Sequence, residues 1–130
     1  MPVVTQLAVT VENKPGSLAR ICSVLGNAGV NISAIYVPEA KGKGRVRLLV
    51  DNATRAKNAL EQAKLRFSEE EVLALHVENK PGAFAALADK LAQAKINIKY
   101  AYATTAEGYA RAVVILAVPN VAKALAALGG

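Results

Sequence analysis

The hexapeptide Val-Glu-Asn-Lys-Pro-Gly occurs twice in the chain, at residues 11–16 and again at residues 77–82. Identities continue at the same offset beyond the hexapeptide, in the pairs Ala19/Ala85, Leu25/Leu91, Ala28/Ala94, Asn31/Asn97, Ile32/Ile98 and Tyr36/Tyr102. Self-similarity at a fixed spacing is the signature of a repeated structural unit. The sequence therefore predicts two small domains, at residues 1–68 and 69–130, rather than one domain of 130 residues.

The composition limits the kind of protein that these units can form. Hydrophobic residues make up 53% of the chain and aromatic residues only 5%, so we expect two thin cores of aliphatic side chains. One cysteine, Cys22, cannot form an intrachain disulfide, and an unpaired thiol is typical of a reducing compartment. No apolar run approaches the length of about 18–20 residues that a membrane span needs. We therefore expect a cytoplasmic protein with no membrane contact.

Hydrophobic periodicity gives each unit the order strand, helix, strand, strand, helix. In the first unit the predicted elements are an alternating strand around 7–11, a helix over 18–28, strands at 30–37 and 45–51, and a helix capped by Asp51 or Asn52. In the second unit they are strands at 72–78, 96–104 and 109–118, a hairpin around residues 107–108, and helices at 83–94 and 120–128.

This order predicts an α+β protein of two ferredoxin-like βαββαβ units in tandem, each with an antiparallel sheet and its helices on one face. Residues 65–71 can supply the fourth strand of the first unit. The second unit has no such segment after its last helix. Because open sheet edges invite pairing, we expect another chain to cover that edge, as in a homodimer.

The repeated Asn-Lys-Pro-Gly falls between the first strand and the first helix of each unit. Proline fixes φ, glycine permits close approach of a ligand, and the N–H groups at a helix start suit a carboxylate. Asn13 and Asn79 add an amide that can serve an ammonium group or a carboxylate. An Asx-type turn that only starts the helix is the alternative interpretation. Asn31 and Asn97 each precede an isoleucine at the start of the second strand, and they could contact the same ligand from a neighbouring unit.

These motifs together resemble the ACT domain: the Asn-Lys-Pro-Gly loop, the apolar helix, Gly29-Val30-Asn31-Ile32 with Tyr36, and the second copy with Asn97-Ile98 and Tyr102. The loop is similar to that of the regulatory domain of phosphoglycerate dehydrogenase. The resemblance implies a free-standing regulatory module that binds an amino acid or a similar small zwitterion, acts as a sensor or as a subunit of a metabolic enzyme, and needs no cofactor. The ligand-binding residues that it implies are Asn13, Pro15, Gly16, Ser17, Leu18, Asn31 and Ile32, with Asn79, Pro81, Gly82, Ala83, Phe84, Asn97 and Ile98 in the second copy.

An enzyme is the first competing interpretation, and the sequence offers little for it. Cys22 lies on the apolar stripe of a helix without a neighbouring histidine, and His76 is a lone histidine on a strand. The acidic run at residues 69–71 is typical of a solvated turn. Catalysis needs a nucleophile with a base, a metal set or paired carboxylates in a cleft, so we expect no enzymatic activity and no metal site.

A nucleic-acid-binding module is the second alternative, because residues 1–66 carry 10 basic and 4 acidic side chains whereas residues 67–130 carry 6 of each. Four of these basic residues lie in and beside the first hairpin: Lys41, Lys43, Arg45 and Arg47. An RNA-binding sheet of this type also needs aromatic side chains for base stacking, and the third strand has none. We therefore interpret the charge as a solvated hairpin.

Overall fold

The computed structural model describes residues 3–39, 41–105, 108 and 110–129. Its helices and strands are β1 (Val3–Glu12), α1 (Ser17–Asn27), β2 (Ile32–Tyr36), β3 (Lys43–Val50), α2 (Ala53–Gln62), β4 (Phe67–Glu78), α3 (Ala83–Gln93), β5 (Tyr100–Thr104), β6 (Arg111–Ala117) and α4 (Val121–Ala127). The chain forms two compact units. The first unit is Thr5–Glu70, and the second comprises the described residues from Glu71 onward together with Val3 and Val4. The predicted domain boundary at 68/69 falls inside β4.

The sheet of the first unit has the strand order β2-β3-β1-β4. β1 pairs with β3 and β2 pairs with β3, both in antiparallel fashion, and Leu7 lies opposite Leu48. The N–H of Thr10 donates to the carbonyl oxygen of Arg66 at 2.9 Å, just before β4 begins. The sequence predicts a fourth strand from residues 65–71, and β4 provides it from Phe67.

The core of the first unit lies between this sheet and its two helices. Ile21 and Leu25, one turn apart on α1, are fully buried together with Leu7 and Val9 of β1. Alternation along β1 and the helical spacing along α1 place these apolar side chains on facing surfaces. Of the two predicted caps, Asn52 is the residue that caps α2. Its side-chain oxygen accepts from the N–H of Arg55 at 3.0 Å.

The second unit repeats this arrangement, with the strand order β5-β6-β4. Its core contains fully buried Leu73 of β4 and Leu91 of α3, and α4 begins after Asn120, whose side chain accepts from the N–H of Lys123. Together the two units confirm the predicted α+β class with tandem ferredoxin-like units. Glu107 of the predicted second hairpin lies outside the described residues.

The sequence suggested that another chain covers the open edge of β4 in the second unit. In the structure, a segment of this chain lies at that edge instead. β1 is longer than the predicted strand, and its first residues, Val3 and Val4, belong to this unit on the side of β4 away from β6. Val3 also packs against the apolar core around Leu73. The expectation was wrong because the segment that occupies the fourth-strand position comes from the opposite end of the sequence.

The second strand of the second unit starts four residues later than its pattern predicts. β5 begins at Tyr100, although the apolar residues from Ile96 onward suggested a strand over 96–104. In the first unit, Asp51 exchanges hydrogen bonds with Asn31 and brings β2 into register directly afterwards. The structurally equivalent residue of the second unit is Pro119, which has no N–H to donate. Pairing with β6 therefore starts later, with the N–H of Lys99 donating to the carbonyl oxygen of Ala117 at 2.8 Å.

Candidate functional site

The loop between the first strand and the first helix has the same conformation in both units. Gly16 precedes α1 with φ 91° and ψ −16°, and Gly82 precedes α3 with φ 87° and ψ −9°. Glycine adopts this left-handed region freely, whereas other residues are strained there. The backbone conformation therefore explains why both copies have glycine at this position. Asn13 donates its main-chain N–H to the carbonyl oxygen of Gly42 at 2.6 Å, and Asn79 donates to that of Ala110 at 2.9 Å. The loop is therefore fixed to the neighbouring hairpin in each unit.

The residue at each helix start is a glycine, which has no side chain to cap the first N–H groups of the helix. The residue that caps α1 is Gly16 and the residue that caps α3 is Gly82, and neither helix has a side-chain cap hydrogen bond. The main-chain N–H of Ser17 donates to the carbonyl oxygen of Lys14, and that of Ala83 donates to the carbonyl oxygen of Lys80, both at 3.3 Å. The Asx-type turn stays an alternative interpretation of the loop. The first N–H groups of a helix have no partner within the helix and carry partial positive charge. Such a terminus attracts a carboxylate.

Each loop lysine is paired with the glutamate that ends the preceding strand. Lys14 Nζ lies 3.5 Å from Glu12 Oε2, and Lys80 Nζ lies 2.9 Å from Glu78 Oε2. The hydrogen bond from Lys80 and the positive charge of that lysine lower the pKa of Glu78, desolvation opposes them, and the charge of Arg111 adds a lesser lowering. The lysine charge beside the loop is thus partly offset, and the helix terminus also favours an anion.

Two clefts flank the loop of the first unit. Asn13, Ser17 and Leu18 line a small cleft of about 80 Å³ together with Val37 and Arg45 from the strands beside them. A larger cleft of about 390 Å³ lies on the other side of the loop. Its lining includes Pro15, Gly16 and Ser17, and also Arg20 and Leu65. The structure therefore brings the five predicted loop residues of this unit together around one helix start.

Asn31 and Ile32 lie at the other end of α1. An α-helix of this length spans about 16 Å, so Asn13 and Asn31 do not share a pocket within one unit. Asn31 is exposed at its side chain, and its main-chain N–H donates to Asp51 Oδ1 at 2.9 Å. Ile32 packs against the apolar core. The expectation that both asparagines contact one ligand stays a prediction about neighbouring units.

The second unit places its predicted residues in the same way, with one difference. Asn79, Pro81 and Gly82 are exposed in the loop, and Ala83 lines a cleft of about 490 Å³. Phe84 is 49% exposed and lines a separate apolar cavity of about 350 Å³ together with Ile98. The exposed Asn97 precedes β5 by three residues and lies at the far end of α3.

Sequence reasoning missed the residues that the second and third strands contribute to these clefts. Val37 and Arg45 line the small cleft beside Asn13, and Ala101 and Ala103 line the apolar cavity beside Phe84. The signal that could have found the last two is the repeat itself, because Ala101 and Ala103 stand where the first copy has isoleucine and valine.

Of the four basic residues of the first hairpin, Arg47 is engaged by an acidic residue, whereas Lys41, Lys43 and Arg45 are exposed. Arg47 Nε donates to Glu70 Oε1 at 3.1 Å, and only 16% of the Arg47 side chain is exposed. The fully buried Gln6 donates to the same oxygen at 3.2 Å. Because the guanidinium is engaged with a carboxylate, it is not displayed toward a phosphate, and its geometry gives no support to the nucleic-acid alternative.

The two residues considered for catalysis lie in different units, and His76 lines the cleft of about 490 Å³ that Lys80 and Ala83 also line. Cys22 is half-buried on α1, and His76 is exposed on β4. Among the described residues, no group of three or more His, Cys, Asp and Glu side chains could hold a metal ion. In the part of the chain that the structure describes, no helix is both long enough and apolar enough to cross a membrane.

Known structures share this fold over nearly the whole chain. A protein from Bacteroides thetaiotaomicron is 28% identical, with a TM-score of 0.91 over 98% of this chain and 87% of that one. The regulatory subunit of aspartate kinase from Thermus thermophilus, in its ligand-free form, is 20% identical, with a TM-score of 0.66 over 98% of this chain and 90% of that one. The regulatory subunit of aspartate kinase from Thermus flavus is 21% identical, with a TM-score of 0.65 over 98% and 95%.

No curated protein matches the sequence of this chain. A family model of the ACT domain pair matches residues 2–127, which include both copies of the Asn-Lys-Pro-Gly loop. This match agrees with the two ferredoxin-like units, in each of which a glycine precedes the first helix. The chain belongs to the family of ACT domain pairs.

Proposed function

We propose that this chain is a regulatory protein that binds an amino acid or a similar small zwitterion and passes the signal to a metabolic enzyme. The observation that carries the proposal is the loop at Asn13–Gly16 and Asn79–Gly82, which adopts one conformation in two units whose surrounding sequence has diverged. ACT domains are regulatory domains that bind amino acids, and family membership supports that role. The likeness to aspartate kinase regulatory subunits concerns the fold.

The ligand carboxylate would be placed at the start of α1 or α3. There the main-chain N–H groups lack a side-chain cap, and the adjacent lysine charge is partly offset by glutamate. The amide of Asn13 or Asn79 would accept from the ammonium group. Binding would stabilise one state of the loops, and the partner enzyme would respond to that shift in population.

We further propose a cytoplasmic homodimer. The outer strands β2 and β5 each pair with one described strand, so they offer edges on which a second copy could extend the sheet. The lone thiol of Cys22 fits a reducing compartment. Sedimentation velocity over a range of concentrations tests the assembly, and a strictly monomeric chain with and without ligand would contradict it.

The binding test is a thermal-shift panel of the common amino acids at millimolar concentration, followed by calorimetric titration of the hits. A ligand at 100 times its Kd raises the unfolding free energy by about 2.7 kcal/mol, which is readily measured as a shift in Tm. We expect Asn13→Ala or Asn79→Ala to weaken binding about tenfold or more while circular dichroism shows an intact fold. Asn58→Ala, on the exposed face of α2, is the matched control and should bind as the wild type does. Absence of stabilisation by every amino acid would contradict the proposal.

A further inference from the structure

The second unit contains an apolar cavity of about 350 Å³ beside its loop. Its walls come from α3, through Phe84, Leu87 and Ala88, and from β5 and the segment before it, through Ile98, Ala101 and Ala103. Ala101 lies opposite Leu116 and Ala103 opposite Val114, so both alanines face the helices. The cavity therefore opens on the helix-covered side of the sheet, between α3 and the outer strand.

Comparison of the two copies gives the reason for this cavity. Ala88, Ala101 and Ala103 correspond to Cys22, Ile35 and Val37 of the first unit. Ile35 is 42% exposed and Val37 is 50% exposed, and they stand at the positions of the two alanines that line the cavity in the second unit. All three differences replace a larger side chain with alanine, which leaves more space beside β5, whereas Phe84 is larger than its counterpart Leu18.

The cavity begins one turn from the loop, because Phe84, which lines it, is the second residue of α3 and follows Gly82 by two positions. Leu18 and Val37 line the small cleft that contains Asn13 in the first unit. Their counterparts Phe84 and Ala103 line the apolar cavity. A molecule that contacts the loop of the second unit through polar groups can therefore extend an apolar group past Phe84 into the cavity.

We propose that the second unit selects an amino acid with a large aliphatic or aromatic side chain, which fills the cavity between α3 and β5. This inference rests on the proposed function and names the ligand class for one of its two sites. The first unit has the larger Ile35 and Val37 at the corresponding positions, so under this proposal it takes a small ligand or none. Burial of each methylene of the ligand side chain raises affinity about fourfold, which favours leucine over alanine.

The test is calorimetric titration of the full chain with glycine, L-alanine, L-serine, L-leucine and L-phenylalanine. We expect leucine or phenylalanine to bind at least tenfold more tightly than alanine. The double variant Ala101→Ile/Ala103→Val fills the cavity with the residues of the first unit and should abolish this preference. Asn58→Ala, on the exposed face of α2, changes no residue of the cavity and should leave the preference intact.

Folding of each variant is checked by circular dichroism and urea unfolding. If the double variant does not fold, Ala101→Ile alone provides the same comparison with a smaller change in volume. Alanine or serine binding as tightly as leucine, or undiminished leucine binding in the folded filled variant, would overturn this inference while the proposed function stands. Failure of every amino acid to bind would overturn both.

Discussion

The main-chain N–H of Asn31 donates to Oδ1 of Asp51 at 2.9 Å, and the N–H of Asp51 donates back to the carbonyl oxygen of Asn31 at 3.1 Å. This exchange joins the start of β2 to the end of β3, so that β2 begins at the next residue, Ile32. Pro119 occupies the equivalent position in the second unit and cannot make the exchange. The residue at this position, Asp51 or Pro119, thus determines where the outer strand, β2 or β5, begins to pair with its neighbour.

Asp51→Ala removes the side-chain acceptor of the Asn31 N–H and should lower the free energy of unfolding by about 1 kcal/mol. Amide exchange at Asn31 should become faster, because that N–H is no longer hydrogen-bonded. Urea unfolding and hydrogen exchange with mass spectrometry measure the two effects. Asp51→Asn keeps an Oδ1 acceptor and should remain near the wild type; unchanged exchange in the alanine variant would refute the assigned role.

Arg47→Ala should lower the free energy of unfolding by about 2 kcal/mol, because it removes a charged donor from a carboxylate that is partly buried. The side chain of Glu70 is 24% exposed and accepts from Arg47 at 3.1 Å. The comparison is Lys57→Ala, which breaks a pair with Glu69 of the same length, 3.1 Å, whose side chains are 31% and 50% exposed. That change should cost less than about 1 kcal/mol. Equal losses in chemical denaturation would show that burial does not govern these pairs.

Two glycines of the first helix region should respond to alanine in opposite directions. Gly16 has φ +91°, so alanine there is strained by about 1–2 kcal/mol and lowers stability. Gly26 lies inside α1 with open space where the added methyl group would lie, so alanine there should raise stability by about 0.5–1 kcal/mol. Urea unfolding of both variants checks the signs. A Gly16→Ala variant as stable as the wild type would be inconsistent with the loop conformation.

Lys80→Gln should raise the pKa of Glu78 toward 4.5, its ordinary value, because it removes the positive charge that holds the pKa below it. The folded protein favours the ionised carboxylate, so this contribution to stability is present above the unfolded-state pKa and is lost as pH falls through the lower folded-state pKa. Titration of the Glu78 carboxyl carbon by NMR measures both variants, with Lys90→Gln as control. Identical midpoints for the wild type and Lys80→Gln would contradict the pairing.

Local patterns were sufficient for much of the fold. Alternation of Leu7 and Val9 predicted a half-buried strand, and the spacing of Ile21 and Leu25 predicted the buried stripe of α1. The cap at Asn52 was one of two predicted candidates, since neighbouring side chains compete for the same N–H group. These features depend on residues a few positions apart, which a single sequence displays directly.

The sequence predicted the loop residues of the candidate site but not the strand residues that line its clefts. The repeated hexapeptide identified the helix start at Gly16, and the structure gives that glycine the left-handed conformation which explains it. The strand residues Val37 and Ala103 were not identified, because their positions beside the loop arise from pairing with strands farther along the chain. Joint contact of a ligand by Asn13 and Asn31 stays a prediction.

The sequence by itself determined that the chain contains two copies of one unit, the order of strands and helices in each, and the glycine at each helix start. Only the tertiary structure decided that Val3 and Val4 join the second unit, that α1 separates Asn13 from Asn31, and that Ala101 faces an open cavity. The physical reason is the range of the interactions. Backbone conformation and periodicity are set by near neighbours, whereas strand partners and cavities depend on packing between residues that are distant in the chain.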